Sequence, residues 1–203
     1  MAHFEWVGGR LALDFTNTAS WGGQQPHGER LIAFSDLLDW GRDAGVIAPE
    51  RHQRLRADAE SRPGSSYRAL ERARLVRELL HRLLTAVADH AEPDPALVAA
   101  FNHQLTQSLA QLRLSDAADA LRWIERDQDL DSVLHPVIWS AAQILSSSDR
   151  QRLRRCANDN CGWLFVDQSR NHKRKWCEMR ECGNRAKAAR YYARHRNRPS
   201  ESA

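Results

Sequence analysis

The placement of the cysteines constrains this chain most, because all four fall within 27 residues near its C-terminal end. They follow the pattern C-x4-C, fifteen residues, C-x4-C, and they are Cys156, Cys161, Cys177 and Cys182. A tetrahedral zinc site requires two such close pairs, with each sulfur about 2.3 Å from the ion. The common knuckle has about two intervening residues, so these four-residue loops are a compatible departure. The spacing predicts one Zn²⁺ bound by four thiolates.

Three other uses of the cysteines compete with a structural zinc site. Two disulfides need an oxidising compartment, and the N-terminus 1-MAHFEWVGGR-10 lacks the charged start and apolar stretch of an export signal. A catalytic zinc keeps one coordination position open, whereas four cysteines close the site. A redox switch built on the zinc–thiolate site remains an alternative. We therefore favour a closed structural zinc site in a cytoplasmic protein that is not an enzyme.

The residues between and after the cysteine pairs predict a small finger. The segment 163-WLFVDQ-168 predicts a strand, 169-SRNHK-173 a turn and 174-RKWC-177 the returning strand. The alanine-rich segment 183–196 predicts a helix. Trp163, Phe165 and Trp176 are expected to form a mini-core on which Tyr191 and Tyr192 pack. Together these elements predict a treble-clef-like finger that depends on its metal to fold.

Charge is distributed unevenly along the chain. Residues 150–198 contain 15 Lys and Arg against four acidic residues, whereas residues 1–149 contain 15 against 21. A basic end on an acidic body indicates a polyanionic partner, most often nucleic acid. Most of these cations would contact phosphates. The candidate nucleic-acid-binding residues are Arg170, Lys173, Arg174, Lys175, Arg185, Lys187, Arg190 and Arg194.

Two residues at the start of the predicted C-terminal helix have competing interpretations. Asn184 and Arg185 could read adenine and guanine edges in a major groove. Alternatively, Asn184 hydrogen-bonds the cysteine knuckle and Arg185 offsets the zinc–thiolate charge. We favour the structural role for Asn184 and leave Arg185 open.

The N-terminal body is predicted to be mainly α-helical with a small β element. No apolar run approaches the roughly 20 residues that a membrane helix needs, so no membrane partner is expected. Asp14, Asn17 and Thr18 are candidates for lining a ligand pocket, although such residues after an apolar segment more often form caps and turns. Helices are expected over 30–45, 49–61, 66–90, 95–112 and 130–145, a hairpin over 4–18, a loop over 19–29, and an ambiguous, strand-like segment over 116–127.

Two segments resemble known families. The run 155-RCANDNCGWLFVDQSRNHKRKWCEMRECGNRAKAARYYARHR-196 resembles the CGNR zinc finger, whose motif stands here at residues 182–185. The segment 8-GGRLALDFTNT-18 is similar to the start of the ABATE domain, which precedes this finger in bacterial proteins described as stress-induced transcription regulators. The resemblance implies zinc at the four cysteines and DNA binding by the finger. It divides the chain into an ABATE-like domain (1–148), a basic finger (149–198) and a tail (199–203).

The resulting hypothesis is a bacterial-type transcription regulator. Its N-terminal domain senses an unknown small-molecule effector or forms a homodimer, and its finger binds DNA. An RNA- or ribosome-associated zinc protein would have the same basic end for binding a polyanion and is the first alternative. The others are a small-molecule enzyme or sensor tethered by the finger, and a protein–protein adaptor.

Overall fold

The computed structural model describes residues 4–22, 25–117, 120–125 and 129–196, without the side chains of 113–125, Arg194 and Arg196. The helices are α1 (Leu11–Thr16), α2 (Phe34–Asp43), α3 (Pro49–Ser61), α4 (Pro63–Ala88), α5 (Pro95–Ala110), α6 (Leu134–Ser146), α7 (Asp149–Arg152) and α8 (Asn184–Arg196). The strands are β1 (Ala19–Gly22), β2 (Gln25–Glu29), β3 (Leu112–Ala117), β4 (Ala120–Glu125), β5 (Leu153–Arg155) and β6 (Leu164–Val166). The strands pair as three antiparallel hairpins, so the fold is mainly α with small β elements, as predicted.

The predicted body helices are confirmed, and local sequence explains where several of them begin. Pro49, Pro63 and Pro95 stand at first helical positions, where the missing N–H has no intrahelical partner to lose. Asp94 caps α5 by accepting a 2.8 Å hydrogen bond from the Ala96 N–H. Helix α5 ends at Ala110, slightly earlier than expected, and β3 follows almost at once.

Helix α4 is the centre of the body. Its apolar stripe is buried against α1, α2, α3 and α5. Arg77 lies on the same helix and is only 1% exposed, but its guanidinium donates to Glu29 at 2.7 and 2.5 Å and to the Thr18 hydroxyl at 3.0 Å. A buried guanidinium needs acceptors, and Glu29 and Thr18 supply them to both terminal nitrogens while Nε has none among the described residues, so this ion pair fixes β2 to α4.

The prediction of a hairpin over residues 4–18 is wrong. Residues Leu11–Thr16 form α1, and the hairpin lies further along, where β1 and β2 occupy the segment predicted as a loop. Ala12, Leu13 and Phe15 are all completely buried. A short apolar run without clear alternation does not distinguish a buried helix from a strand, which explains the error.

The ambiguous segment 116–127 lies largely in the β3–β4 hairpin, in which Leu112 pairs with Glu125 and Ala117 with Ala120. This agrees with the strand interpretation, while residues 118–119 and 126–128 lie outside the described residues. Across the described ranges, every helix is too short or too polar to cross a membrane.

Candidate metal centre

The four cysteine sulfurs form one compact group. All four Sγ atoms lie within 4.8 Å of one another, and Cys177 Sγ is 3.6 Å from both Cys161 Sγ and Cys182 Sγ. A tetrahedron with a 2.3 Å metal–sulfur bond has edges of about 3.8 Å. All four side chains are at most 8% exposed. The cluster therefore fits one structural zinc ion with a closed coordination shell.

The electrostatics of the cluster favour a bound cation once its thiols are deprotonated. Contacts with Cys156 and Cys161, followed by burial, raise the pKa of the Cys177 thiol. Burial and the nearby Cys156 thiolate raise the pKa of Cys182. Four thiolates would therefore repel one another in this volume, and a bound divalent ion removes the conflict by holding all four deprotonated.

The first cysteine pair is held by the β5–β6 hairpin. The Cys156 N–H donates to the Trp163 carbonyl at 2.8 Å, and the Cys161 N–H donates to the Asn158 carbonyl at 2.9 Å. Gly162 follows with a φ of +65°, a conformation that favours glycine. A Cβ at Gly162 would lie 2.5 Å from the Trp21 Cβ, so only glycine fits this turn.

The second pair is closed by a π-helical turn, Met179–Gly183, that leads into α8. The Gly183 N–H donates to the Glu178 carbonyl at 3.1 Å. The Asn184 amide donates to the Arg180 carbonyl at 2.9 Å, which is the structural role favoured from the sequence. Arg185 lies 3.7 Å from Glu181 in an exposed ion pair.

The predicted returning strand over 174–177 is absent, because β6 pairs with β5 rather than with the segment that follows it. The buried Asp167 carboxylate accepts hydrogen bonds from the Ser169 and Arg174 N–H groups, both at 2.9 Å. The Lys175 carbonyl in turn accepts from the Ala157 N–H at 2.8 Å. The segment between β6 and Cys177 is therefore a loop fixed by a side chain, and the hairpin encloses the first pair instead of joining the two.

Arg174, a candidate for nucleic-acid binding, has its guanidinium engaged by carbonyls of the finger and of the N-terminal segment. It donates to the Trp176 carbonyl at 2.9 Å, to the Cys177 carbonyl, and to the Val7 carbonyl at 3.3 Å. Its charged group also lies 4.3 Å from the Phe165 ring centre. These contacts give Arg174 a structural role in holding the second knuckle.

The other described candidate cations point into solvent. Arg170, Lys173 and Lys175 are exposed on the loop between the cysteine pairs. Arg185, Lys187 and Arg190 are exposed on α8, while the side chain of Arg194 lies outside the described part of the chain. The structure thus places cations on two neighbouring parts of the finger, its loop and its last helix.

The expectation that Tyr191 and Tyr192 pack on the hairpin is wrong. They are 57% and 70% exposed on α8. Trp163, Phe165 and Trp176 do form the predicted mini-core, but the ring that completes it is that of Trp21, which comes from the N-terminal hairpin. Trp21 and Ala19 of β1 are fully buried against the cysteine cluster.

Backbone and side-chain hydrogen bonds join the finger to the N-terminal segment and to α4, and we call these contacts the seam. The Asn17 side chain donates to the Leu164 carbonyl at 2.9 Å and accepts from the Leu164 N–H at 3.0 Å. Further seam contacts run from Val166 N–H to the Gly8 carbonyl (2.9 Å), Trp21 N–H to the Cys161 carbonyl (3.0 Å), Trp163 Nε1 to the Ala19 carbonyl (2.7 Å) and His81 Nε2 to the Gly162 carbonyl (3.0 Å).

His81 is a seam residue that sequence reasoning missed. It is 1% exposed on α4, and its ring stacks on Trp21 with centres 3.7 Å apart. Burial, reinforced by the charges of Arg155 and Arg77, lowers the pKa of His81 to about 4, although the Gly162 hydrogen bond opposes this. The neutral ring therefore carries its proton on Nε2, facing the Gly162 carbonyl. The signal in the sequence that could have identified it is a histidine standing within the apolar stripe of a predicted helix.

The three candidate pocket residues engage in structural hydrogen bonds. Thr18 donates to the Phe15 carbonyl at 2.8 Å, in addition to accepting from Arg77. Asp14 accepts a 2.8 Å hydrogen bond from the Gly8 N–H, and burial raises its pKa to about 6. Asn17 lies in the seam. A separate open pocket of about 530 Å³ lies among α4, α5 and α6, with Val76, Leu79 and Ile138 in its lining.

A buried cluster of four cysteines in a small basic finger, seated on a helical body, defines a structural zinc-finger protein. The family model described as "CGNR zinc finger" matches residues 152–195. The ABATE model, described as "Putative stress-induced transcription regulator", matches residues 9–148. No curated protein matches the chain. Because the ABATE model covers more than half of the sequence, the chain belongs to the ABATE family and carries a C-terminal CGNR zinc finger. Neither description is that of an enzyme.

Proposed function

We propose that this protein is a transcription regulator that binds DNA through its zinc finger. The observation that supports this most is the unusual surface of α8. Between residues 184 and 196 the sequence has five Lys and Arg and no acidic residue. Residues 184–192 are exposed apart from the half-buried Ala186. A helix with so little packing needs another source of stability.

The charges on α8 work against its own folding. Lys187 and Arg190 are three positions apart, and Arg190 and Arg194 are four apart, so like charges are neighbours along the helix. A 13-residue helix is marginal in water without tertiary packing. A polyanion lying along α8 would relieve this repulsion, and DNA phosphates are the polyanion that a transcription regulator meets.

The body is proposed to supply regulation through the seam. An effector in the open pocket among α4, α5 and α6 would contact the same α4 that carries His81 to the Gly162 carbonyl. The pocket volume of about 530 Å³ is in the range that small ligands use. A shift of α4 would therefore reach the first cysteine knuckle through packed side chains rather than through a linker.

The DNA-binding proposal is tested by the salt dependence of binding, measured by fluorescence anisotropy with zinc-loaded full-length protein. If about six phosphates are contacted, log K falls with log salt at a slope of about −5. Lys187→Ala and Arg190→Ala should each make that slope less steep by about 0.9. Arg68→Ala is the matched control, since this exposed arginine lies about 20 Å along α4 from His81. A slope near zero, or equal effects of all three variants, would refute the proposal.

A further inference from the structure

The exposed aromatic rings of α8 form a preorganised cluster. The Tyr191 ring stacks on the His195 ring with centres 3.9 Å apart and an interplanar angle of 29°. The Tyr192 ring meets Tyr191 edge-on at 5.8 Å. His195 Nδ1 lies 2.9 Å from the Tyr191 carbonyl, which fixes the imidazole beside the tyrosine ring. We call Tyr191, Tyr192 and His195 the aromatic cluster.

Exposed rings held in a fixed arrangement are costly in a free protein and typical of binding surfaces. Tyrosine is enriched at interfaces because its ring supplies contact area with little loss of conformational entropy. Here the rings have no role in the finger core, which is built from Trp21, Trp163 and Phe165. The aromatic cluster is therefore available to a partner that offers flat apolar faces.

Charge around the cluster selects that partner. Lys187 lies one turn before Tyr191, and Arg190 directly precedes it; both are exposed. A second copy of α8 would bring two strongly cationic helices together, so self-association through this face is disfavoured. A partner with flat faces and regularly spaced negative charges is a nucleic acid whose bases are accessible.

Base pairing decides which form of nucleic acid fits. In a duplex the base faces stack on one another, and a helix in a groove meets only base edges and phosphates. Unpaired bases offer their faces, and stacking on aromatic side chains is the usual way to bind them. We propose that the aromatic cluster stacks against unpaired bases of locally opened DNA while Lys187 and Arg190 contact the flanking phosphates. This inference rests on the DNA binding proposed above.

The test compares three labelled DNAs of equal length: a single strand, a fully paired duplex, and a duplex with a central unpaired bubble. Binding is measured over a salt series with zinc-loaded full-length protein. We expect the bubble and the single strand to bind more tightly than the paired duplex. Tyr191→Ala and Tyr192→Ala should each weaken binding to those two DNAs by about 5- to 150-fold with an unchanged salt slope. Lys187→Ala is the contrasting control, because it should change the slope for all three DNAs.

The two proposals fail in distinguishable ways. If none of the three DNAs shows salt-dependent binding, both the regulator proposal and this inference are refuted. Binding to all three DNAs with equal affinity, undiminished by the tyrosine variants, would overturn base stacking alone. Tighter binding of a single-stranded RNA of the same sequence would overturn the assignment to DNA. Alanine favours a helix more than tyrosine does, so helix loss cannot account for the expected effect; circular dichroism of each variant checks this.

Discussion

Asn17 offers the sharpest test of whether the finger and the body fold together. It is 3% exposed, and its side chain satisfies both backbone groups of the fully buried Leu164. Asn17→Ala would leave the Leu164 N–H and carbonyl buried without a partner. Each unsatisfied group costs about 1 to 3 kcal/mol, so the expected loss of folding free energy is about 2 to 6 kcal/mol.

The assay is urea unfolding followed by two signals on the same sample. Far-UV circular dichroism reports the helical body, and a chromogenic chelator reports zinc release from the finger. With a slope of about 3 kcal/mol per molar urea, the midpoint of Asn17→Ala should fall by about 0.7 to 2 M. Both signals should shift together, because Asn17 belongs to the body and Leu164 to the finger.

Asn102→Ala is the matched control, since Asn102 is exposed on α5. Its midpoint should stay near that of the parent protein. A loss below about 0.5 kcal/mol for Asn17→Ala, the size of an ordinary surface substitution, would refute the argument. So would zinc release at low urea in both parent and variant while the helical signal is still intact.

Three further predictions concern the same region. Gly162→Ala should lower the free energy of unfolding by about 2 to 5 kcal/mol, because alanine would have to adopt a left-handed backbone and would also clash with Trp21. Gly45→Ala is the control: its φ of +73° is similar but the space around it is open, so the loss should be only about 1 to 2 kcal/mol. Thermal unfolding of both variants measures the difference. For His81, the folded-state pKa of about 4 lies below the usual 6.5, so the unfolded state takes up its proton first and the contribution of His81 to stability should fall as pH drops from about 6.5 to 4. Asp14, with its pKa raised to about 6, acts in the opposite sense and largely offsets His81, so over this range the stability of Asp14→Asn should fall as the pH drops, whereas that of His81→Gln should rise; urea unfolding at each pH measures both. Cys177→Ser should abolish stoichiometric zinc in metal analysis and lower the urea midpoint of the body helices; retention of one zinc per chain would contradict four-cysteine coordination.

The sequence was most informative where structure depends on local pattern. Prolines and apolar stripes predicted α3 to α6, and the cysteine spacing predicted the metal cluster. What it did not predict depends on contacts between distant residues. The pairing of Leu153 with Val166, and the insertion of Trp21 beside Cys161, leave no periodic signal in either segment. The prediction that Tyr191 and Tyr192 pack in the core relies on the usual burial of aromatic residues, and that average does not hold on a helix with so little packing.

The position of Trp21 beside Cys161 has a consequence for synthesis on the ribosome. About 140 residues separate the two, so at 5 to 20 residues per second the first strand waits on the order of 10 s for its partner to emerge. During that interval the indole has no completed pocket and invites association with other nascent chains. Metal supply then acts only after the cysteines have emerged, when the ion and those cysteines enclose a side chain made about 140 residues earlier.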